Sequence, residues 1–283
     1  MEILKMENEG AIRLGFFLGI FIIVALWELV SPRRVLTTGK GIRWISNLGI
    51  VGIDTIVVRF LFPVLAVNVA VMAENSGWGL LNNIDLPASV LILAGILFLD
   101  LIIYLQHVMF HAIPVFWRLH MMHHADLDYD VTTGLRFHPI EIIVSMLIKL
   151  SAVAALGPSP WAVLVFEVIL NATAMFNHGN IKLPLGMDKV LRLLVVTPDM
   201  HRVHHSVTIR ETNSNFGFNF PWWDRLFGTY RDQPAAGHEG MTIGLAQFRD
   251  SGRLGLQWML VLPFIGDAGS YAINRWGKNP EKK

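Results

Sequence analysis

Three long apolar runs dominate the N-terminal part of the chain and predict membrane-spanning helices. They cover residues 11–30, 48–73 and 87–106. A helix rises about 1.5 Å per residue, so about 20 residues cross the roughly 30 Å hydrocarbon core of a bilayer. Basic residues follow the first run, whereas a cleaved signal peptide carries them in front of its apolar stretch. The first run is therefore expected to be an uncleaved anchor.

Two shorter apolar runs predict a hairpin that enters and leaves the same face of the membrane. They cover residues 140–156 and 161–176 and are joined by the uncharged turn Gly157-Pro158-Ser159-Pro160. Each arm is near the lower length limit for a span, so full crossing and re-entry both stay open. The pattern therefore predicts four or five apolar membrane segments.

The distribution of basic residues predicts the orientation of these segments. Residues 31–44 contain Arg33, Arg34, Lys40 and Arg43, whereas residues 74–85 contain no lysine or arginine. Loops rich in lysine and arginine usually stay in the cytoplasm. The third run should then deliver the residues that follow it, beginning at His107, to the cytoplasmic face.

The composition agrees with a membrane protein and limits the possible chemistry. Apolar residues make up 53% of the chain and charged residues 16%, against roughly a quarter charged in soluble domains. A net charge of +1 argues against a nucleic-acid partner. Because the chain contains no cysteine, disulfides, thiolate clusters and a catalytic thiol are excluded. Any metal must be bound by nitrogen and oxygen.

These patterns predict an all-α fold, a polytopic membrane helical bundle with four or five apolar segments. Residues 1–283 are expected to form a single integral membrane domain. Its parts are transmembrane helices within 11–106, a catalytic region at 107–231 that includes the 140–176 membrane hairpin, and a cytoplasmic tail at 232–283. A short apolar stretch at 254–265 suits the membrane interface.

The histidines are the candidate chemistry of the chain. All eleven lie between His107 and His238, and eight of them form three boxes with spacings of three and four residues. On a helix such positions share one face, so each box is expected to aim its imidazoles in one direction. The boxes are QHVMFH with His107 and His111, HMMHH with His120, His123 and His124, and HRVHH with His201, His204 and His205.

The number of boxed histidines predicts two metal ions, so the membrane bundle is expected to carry a cytoplasmic histidine-rich helical cap that holds a dinuclear metal site. Eight ligands, with His178 as a plausible ninth, exceed what one ion takes but suit two ions of four or five ligands each. Thr197-Pro198-Asp199 supplies an N-cap, a proline at the first position and an acid in the first turn, which predicts that a helix begins just before His201. Ligating imidazoles usually donate their second N–H to an oxygen, which gives nearby carboxylates a possible orienting role.

An ordered set of motifs across residues 95–231 resembles the fatty acid hydroxylase and sterol desaturase superfamily of histidine-rich membrane enzymes. The motifs are Asp100-x3-Tyr104-x2-His107-x3-His111, Trp117-Arg118-x-His120-x2-His123-His124, Arg136-x-His138-Pro139-x-Glu141, Asn177-His178, Pro198-x2-His201-Arg202-x-His204-His205 and Trp223-Asp224-Arg225-Leu226-Phe227-Gly228-Thr229.

The resemblance implies a di-iron centre on the cytoplasmic ends of membrane helices. It assigns as ligands His107, His111, His120, His123, His124, His178, His201, His204 and His205. Candidates for supporting these ligands are Asp100, Tyr104, Glu141, Asn177 and Asp199. The role of His138 stays open between ligation and a structural or substrate-side position. His238 lies outside every motif, in a Gly-rich polar stretch, and is expected to be exposed.

The resemblance also implies the reaction and its participants. The expected activity is oxygen-dependent hydroxylation or desaturation of a C–H bond in a lipid, such as a sterol or a fatty acyl chain. The cofactors are two iron ions, which zinc can replace on purification, with molecular oxygen as co-substrate. The chain contains no G-x-G-x-x-G motif of the kind that follows a strand and binds a dinucleotide. Electrons are therefore expected to come from an external reductase, ferredoxin or cytochrome b5-like donor.

Two alternatives from other classes share some of these features. A membrane electron carrier with bis-histidine haem also places histidines on helices, although haem takes one axial ligand per face. A zinc-binding transporter or structural protein could use the same ligands, although a transport site should lie near the bilayer midplane. The aromatic segment at 220–225 is expected to be an interfacial anchor, core packing or part of the substrate mouth.

Overall fold

The apolar runs fold as helices, the form in which a single segment satisfies its own backbone hydrogen bonds in a bilayer. The computed structural model describes residues 9–265 and 267–274, and this part contains no extended strand beyond two isolated bridges. The all-α expectation is confirmed. The helices are α1 (Glu9–Val30), α2 (Lys40–Leu61), α3 (Ala66–Ser76), α4 (Ala88–Ala112), α5 (Pro114–His124), α6 (Pro139–Leu156), α7 (Pro160–Asn177), α8 (Leu185–Leu191), α9 (Pro198–His204), α10 (Ile209–Thr212), α11 (Trp222–Leu226), α12 (Gly237–Gly240) and α13 (Leu256–Val261).

Five stretches of the described chain are long and apolar enough to cross a membrane. They are Glu9–Val30, Lys40–Asn83, Ala88–Ala112, Pro139–Leu156 and Pro160–Asn177. Large apolar side chains are exposed along these stretches, as a lipid-facing surface requires. The prediction of four or five apolar segments is confirmed, and the chain is an integral membrane protein.

The second predicted run, at 48–73, is not one continuous helix. It is divided between α2, which ends at Leu61, and α3, which begins at Ala66. Pro63 lies in the break. Proline has no backbone N–H and disfavours helical geometry in the residue before it, which explains why α2 ends here. The two helices together cover the apolar run that was predicted to form one helix.

The membrane bundle is packed around α3 and α4, each of which contacts both α6 and α7. Its core contains Ile96 and Leu99 of α4 together with Val163 and Phe166 of α7. At the end remote from the histidines, the turn after α3 meets the turn between α6 and α7. A Cβ atom on Gly79 would lie 2.4 Å from the Cα of Gly157, so this close approach requires glycine.

A helical cap covers the other end of the bundle. The loop between α5 and α6 is fixed to α2 by Arg43, which bonds Asp126 at 2.7 and 2.9 Å and Asp130 at 2.8 Å. All three side chains are buried. The basic loop 31–44 therefore lies on the same side of the bundle as the cap.

The C-terminal part packs onto this cap. In the stretch at 254–265, Met259 and Leu262 are buried against α2 and α5, and its expected place at the membrane interface stays a prediction. Tyr271 stacks on Trp117 of α5, with ring centroids 5.6 Å apart. The apolar side chains of this stretch thus stabilise the helix that carries the second histidine box. Residues 266 and 275–283 of the predicted tail at 232–283 lie outside the described residues.

Candidate metal centre

The structure gathers nine histidines of the cap into two adjacent groups. Within each group the ring nitrogens that face one another all lie within 4.8 Å. The groups touch, since the ring centroids of His123 and His124 are 5.3 Å apart. The first histidine group consists of His107, His111, His120, His124 and His204, and the second consists of His123, His178, His201 and His205.

Four helices position these rings. The first box ends α4, the second ends α5, the third lies in α9 and just after it, and His178 follows α7. Helix α9 begins at Pro198, and the Thr197 side chain accepts a hydrogen bond from the Met200 amide, which confirms the predicted helix start.

The second and third boxes each contribute histidines to both groups, a division that the sequence did not indicate. In α5, His120 and His124 are four residues apart and join the first group, whereas His123 turns to the second. Likewise, in the third box His204 belongs to the first group and its neighbour His205 to the second. Successive residues of a helix are rotated by about 100°, so a box held between two sites serves both.

Hydrogen bonds from the Nδ1 atoms orient six of the nine rings. Because every partner is an oxygen acceptor, Nδ1 carries the proton and Nε2 keeps its free lone pair. The partners are the carbonyls of Phe216 for His107 (2.7 Å), Arg136 for His123 (3.2 Å), Ala174 for His178 (2.7 Å) and Ser214 for His204 (2.7 Å), with Asn213 Oδ1 for His111 (3.1 Å) and Glu141 Oε1 for His120 (2.7 Å).

The Nε2 atoms converge at distances that suit a shared ion. His107 and His120 bring theirs to 3.1 Å, and His178 brings its own to 3.2 Å from those of His123 and His205. Two nitrogens bound at right angles to one ion at about 2.1 Å lie about 3.0 Å apart. Buried Nε2 atoms without a hydrogen-bond partner belong to His111, His124, His201 and His204. Unpaired buried nitrogens are costly unless something binds them.

Burial keeps these imidazoles neutral. Loss of hydration lowers the pKa of His120 and of His178 to about 3, and holds the pKa of His123, His204 and His205 well below its usual range. Neutral imidazole is the form that binds a metal. The centre therefore offers nine nitrogen donors that need not lose a proton first.

Among the residues expected to support the ligands, Glu141 touches one directly. Its carboxylate accepts the hydrogen bond from His120, and both side chains are buried. Asn177 acts one step further away, since its amide donates to the carbonyl of Phe218 at 3.0 Å. The Phe218 ring lies 5.1 Å from that of His107.

The other three candidates lie further from the rings. Asp100 accepts a hydrogen bond from the Trp223 indole at 2.8 Å, and the Tyr104 hydroxyl lies 2.9 Å from that of Thr229. These contacts fasten the segment after the third box to α4. Asp199 forms ion pairs with Arg33 and Arg202, and thereby holds α9 against the loop at 31–44.

Two further histidines lie outside both groups. His138 caps the start of α6: its Nδ1 accepts from the Ile140 amide, and its Nε2 lies 3.2 Å from the Leu260 carbonyl. His238 was expected to be exposed, but it is only 4% exposed and lies 3.5 Å from an oxygen of Asp199. The Gly-rich sequence around His238 forms the short helix α12, which packs on α9.

Several residues of the site had no signal in the sequence. Asn213 orients His111, and backbone carbonyls orient four other rings, which no side-chain pattern can reveal. The Phe137 ring stacks on His123 at 4.7 Å and lies 6.3 Å from His120, so it contacts both groups.

Comparison with known proteins gives this arrangement a family context. Residues 92–229, which contain all nine grouped histidines, match the family described as fatty acid hydroxylase. The chain is 28% identical over 148 residues to an ornithine lipid hydroxylase of Rhizobium tropici, covering 52% of this chain and 44% of that protein. It is 30% identical over 143 residues to the alkylglycerol monooxygenase of Homo sapiens, covering 50% and 30%.

A third relative is named for a different activity. A very-long-chain aldehyde decarbonylase of Oryza sativa subsp. indica is 26% identical over 161 residues, covering 54% of this chain and 58% of that protein. The chain spans less than half the length of the ornithine lipid hydroxylase and less than a third of the human monooxygenase. No solved structure matches the chain. The matched domain, its histidine boxes and these relatives agree, and residues 92–229 of the chain are a match to the fatty acid hydroxylase family.

Proposed function

We propose that this protein is an oxygen-dependent oxidoreductase that hydroxylates or desaturates a C–H bond of a membrane lipid, using two iron ions bound by nine histidines. The two buried histidine groups carry this proposal. Their unpaired nitrogens, neutral charge and spacing fit two bound cations. The relatives named as a lipid hydroxylase and a monooxygenase support the class of reaction.

The donor set suits a redox metal that needs open coordination. Imidazole is a good ligand for iron and for zinc, so the ligands alone do not select between them. When bound, a pair of iron ions supplies the capacity to bind and reduce dioxygen that amino-acid side chains lack. The first group would hold one ion with five histidines and the second the other with four.

The chain itself contributes orientation and exclusion of water. The Nδ1 hydrogen bonds fix the rings, so binding a metal requires little rearrangement of the ligands. All nine rings are at most 3% exposed. A dry site protects a strongly oxidising centre from side reactions with solvent.

A lipid substrate follows from where the centre lies. The first group begins at His107, five residues before the end of the spanning helix α4, and His178 directly follows α7. An alkyl chain in the bilayer therefore comes close to the centre without crossing water. The substrates named for the relatives, an ornithine lipid and an alkylglycerol, are both lipids and support the same class here.

An external donor would supply the electrons from the cytoplasmic face. The basic loop at 31–44 lies on the same side as both histidine groups, because Arg33 pairs with Asp199 and Arg43 with Asp126. Loops rich in arginine and lysine favour the cytoplasm, which supports a cytoplasmic centre. A reductase, a ferredoxin or a cytochrome b5-like protein would dock on this side.

Neither alternative class is favoured by the geometry. A haem iron takes one axial ligand from each face, whereas four or five imidazoles converge within each group. A transport site is expected near the bilayer midplane, whereas these histidines lie at the ends of α4, α5 and α7.

The test is product formation from isotopically labelled dioxygen. Purified protein is reconstituted in vesicles that contain an ornithine lipid, an alkylglycerol or an acyl phospholipid, with ferredoxin, its reductase and NADPH. We expect a lipid product that carries one labelled oxygen atom, or an alkene that has lost two hydrogens, and neither from the His204→Ala variant. Iron-loaded protein that oxidises no lipid with any of the named donor types would contradict the proposal.

A further inference from the structure

A cluster of large apolar side chains is exposed on the cap, outside all five candidate spans. It lies on α8, on the residues after it and on α11. Leu185 is 79% exposed, Leu194 61% and Leu226 69%. We call it the interfacial patch, consisting of Leu185, Val190, Leu194, Trp222, Leu226 and Phe227. Large contiguous apolar surfaces on a folded protein usually mark an interaction site.

The two halves of the interfacial patch are held together as one surface. The Trp222 indole donates to the carbonyl of Leu193 at 2.7 Å. The Arg225 guanidinium donates to the carbonyl of Arg192 at 3.3 Å. These bonds join α11 to the end of α8, so the exposed side chains of both helices are held in one surface.

Contacts with α4 fix the depth of the interfacial patch. Trp223 bonds Asp100, and the Phe227 ring stacks on that of Tyr104 at 5.4 Å. Helix α4 has 25 residues, and Asp100 lies twelve residues before its end, about 18 Å along the helix axis. The patch is therefore fastened beside the middle of a spanning helix and not beyond its end. Apolar side chains at that depth lie level with exposed apolar residues of α4, such as Phe98 and Leu105.

The exposed charges next to the interfacial patch are mainly basic, and the exposed Asp232 is neutralised by its ion pair with Arg192. Between residues 181 and 229, all four acidic side chains, at Asp188, Asp199, Glu211 and Asp224, are buried. Lys182, Lys189 and Arg225 are exposed. Exposed basic residues beside an apolar face are typical of surfaces that enter a leaflet with anionic headgroups.

We infer that the interfacial patch inserts into the acyl region of the leaflet on the histidine side, with the surrounding basic residues at its anionic headgroups. Phe218 lies four residues before Trp222 and contacts His107. Insertion thus brings lipid chains to the segment that borders the metal centre. This inference concerns the membrane position of the cap and stands whether or not the proposed reaction is correct.

Depth measurement by spin labelling tests the inference directly, because the chain contains no cysteine to remove. Nitroxide labels are placed at Leu194→Cys and Leu226→Cys in the full protein, in vesicles of phosphatidylcholine and phosphatidylglycerol in a three-to-one ratio. The lipid-facing control is Leu147→Cys on α6, and the water-facing control is Gln233→Cys. Power saturation with oxygen and with a water-soluble nickel chelate reports the depth of each label.

We expect both patch labels to resemble the Leu147 label, with an oxygen-to-nickel accessibility ratio several-fold above that at Gln233. A ratio equal to that at Gln233 would overturn the inference, because the patch would then face water. Shielding from both reagents would also overturn it, since a second copy or another protein would cover the patch. Size-exclusion profiles and bound iron equal to those of the unmodified protein verify folding. In pure phosphatidylcholine we expect higher nickel accessibility at Leu194, and no change would overturn the role of the anionic headgroups.

Discussion

Replacing Glu141 should weaken metal binding by the first histidine group. Its Oε1 atom lies 2.7 Å from His120 Nδ1, and the two residues are 3% and 1% exposed. Glu141→Leu removes the acceptor of this buried N–H while keeping a similar volume. An unsatisfied buried donor costs about 1–3 kcal/mol.

The expected magnitude follows from two independent sources. Loss of an orienting partner typically lowers metal affinity or activity by about 10- to 100-fold. That range corresponds to about 1.4–2.8 kcal/mol, which agrees with the cost of leaving the His120 N–H unpaired. Glu141→Gln keeps an oxygen acceptor at the same position, so we expect a loss of less than about tenfold.

Competition with a chelator measures this effect. Iron-loaded protein is titrated with a chelator, and the iron retained per chain is measured at each concentration. Ser145→Ala is the matched control, because Ser145 lies one turn further along α6 and bonds Gln106 instead of a histidine. If folded Glu141→Leu protein retained iron as strongly as Ser145→Ala, the orienting role of this hydrogen bond would be refuted.

Three further predictions concern the supporting structure. Arg43→Met should lower the free energy of unfolding by about 3–5 kcal/mol, because it leaves two buried aspartates without their cation. The control is Arg253→Met, at a side chain that is 52% exposed, which should change the free energy of unfolding by less than about 1 kcal/mol. Gly134→Ala would place a Cβ atom 2.6 Å from the Ala174 carbonyl oxygen and 3.0 Å from Nδ1 of His178, so it should weaken iron binding roughly tenfold. The control is Gly186→Ala, whose added Cβ would have no atom within 4 Å. Burial lowers the pKa of His238 to about 4, below its ordinary 6.5, so the unfolded chain binds the proton more tightly and stability falls as the pH drops through this window. His238→Gln should flatten that fall.

Each of these has a direct measurement. Thermal unfolding in detergent compares the arginine variants, and equal melting temperatures would contradict the role of the buried Arg43 network. Chelator titration compares the glycine variants, and equal retention of iron would show that the space beside Gly134 is not limiting. Melting temperatures between pH 4 and pH 6.5 test His238, and identical profiles for the variant and the wild type would contradict its buried neutral state.

Local spacing made the ligand helices predictable. Histidines three and four residues apart share a helix face, and the Thr197-Pro198 start of α9 is a local signal that the structure confirms. The apolar runs were equally informative, because helix length and hydrocarbon thickness are simply related. Both kinds of signal depend only on neighbours in the sequence.

Features that depend on distant contacts were not predictable. The division of HMMHH between two groups follows from the placement of α5 between partners from α4, α7 and α9. The burial of His238 requires residues 237–240 to pack on α9, and the packing of α13, which contains Met259, on α2 is equally remote in sequence. Backbone carbonyls that orient the rings leave no trace in residue identity.

The pair of histidine groups is tested most directly by the metal content of the gently purified protein after iron-replete growth. We predict about two irons per chain without haem absorbance, as two groups of five and four imidazoles require. His204→Ala in the first group and His123→Ala in the second should each lower the iron content, while His238→Ala should keep it. One iron or none in the wild type, or undiminished iron in the two ligand variants, would contradict the dinuclear centre.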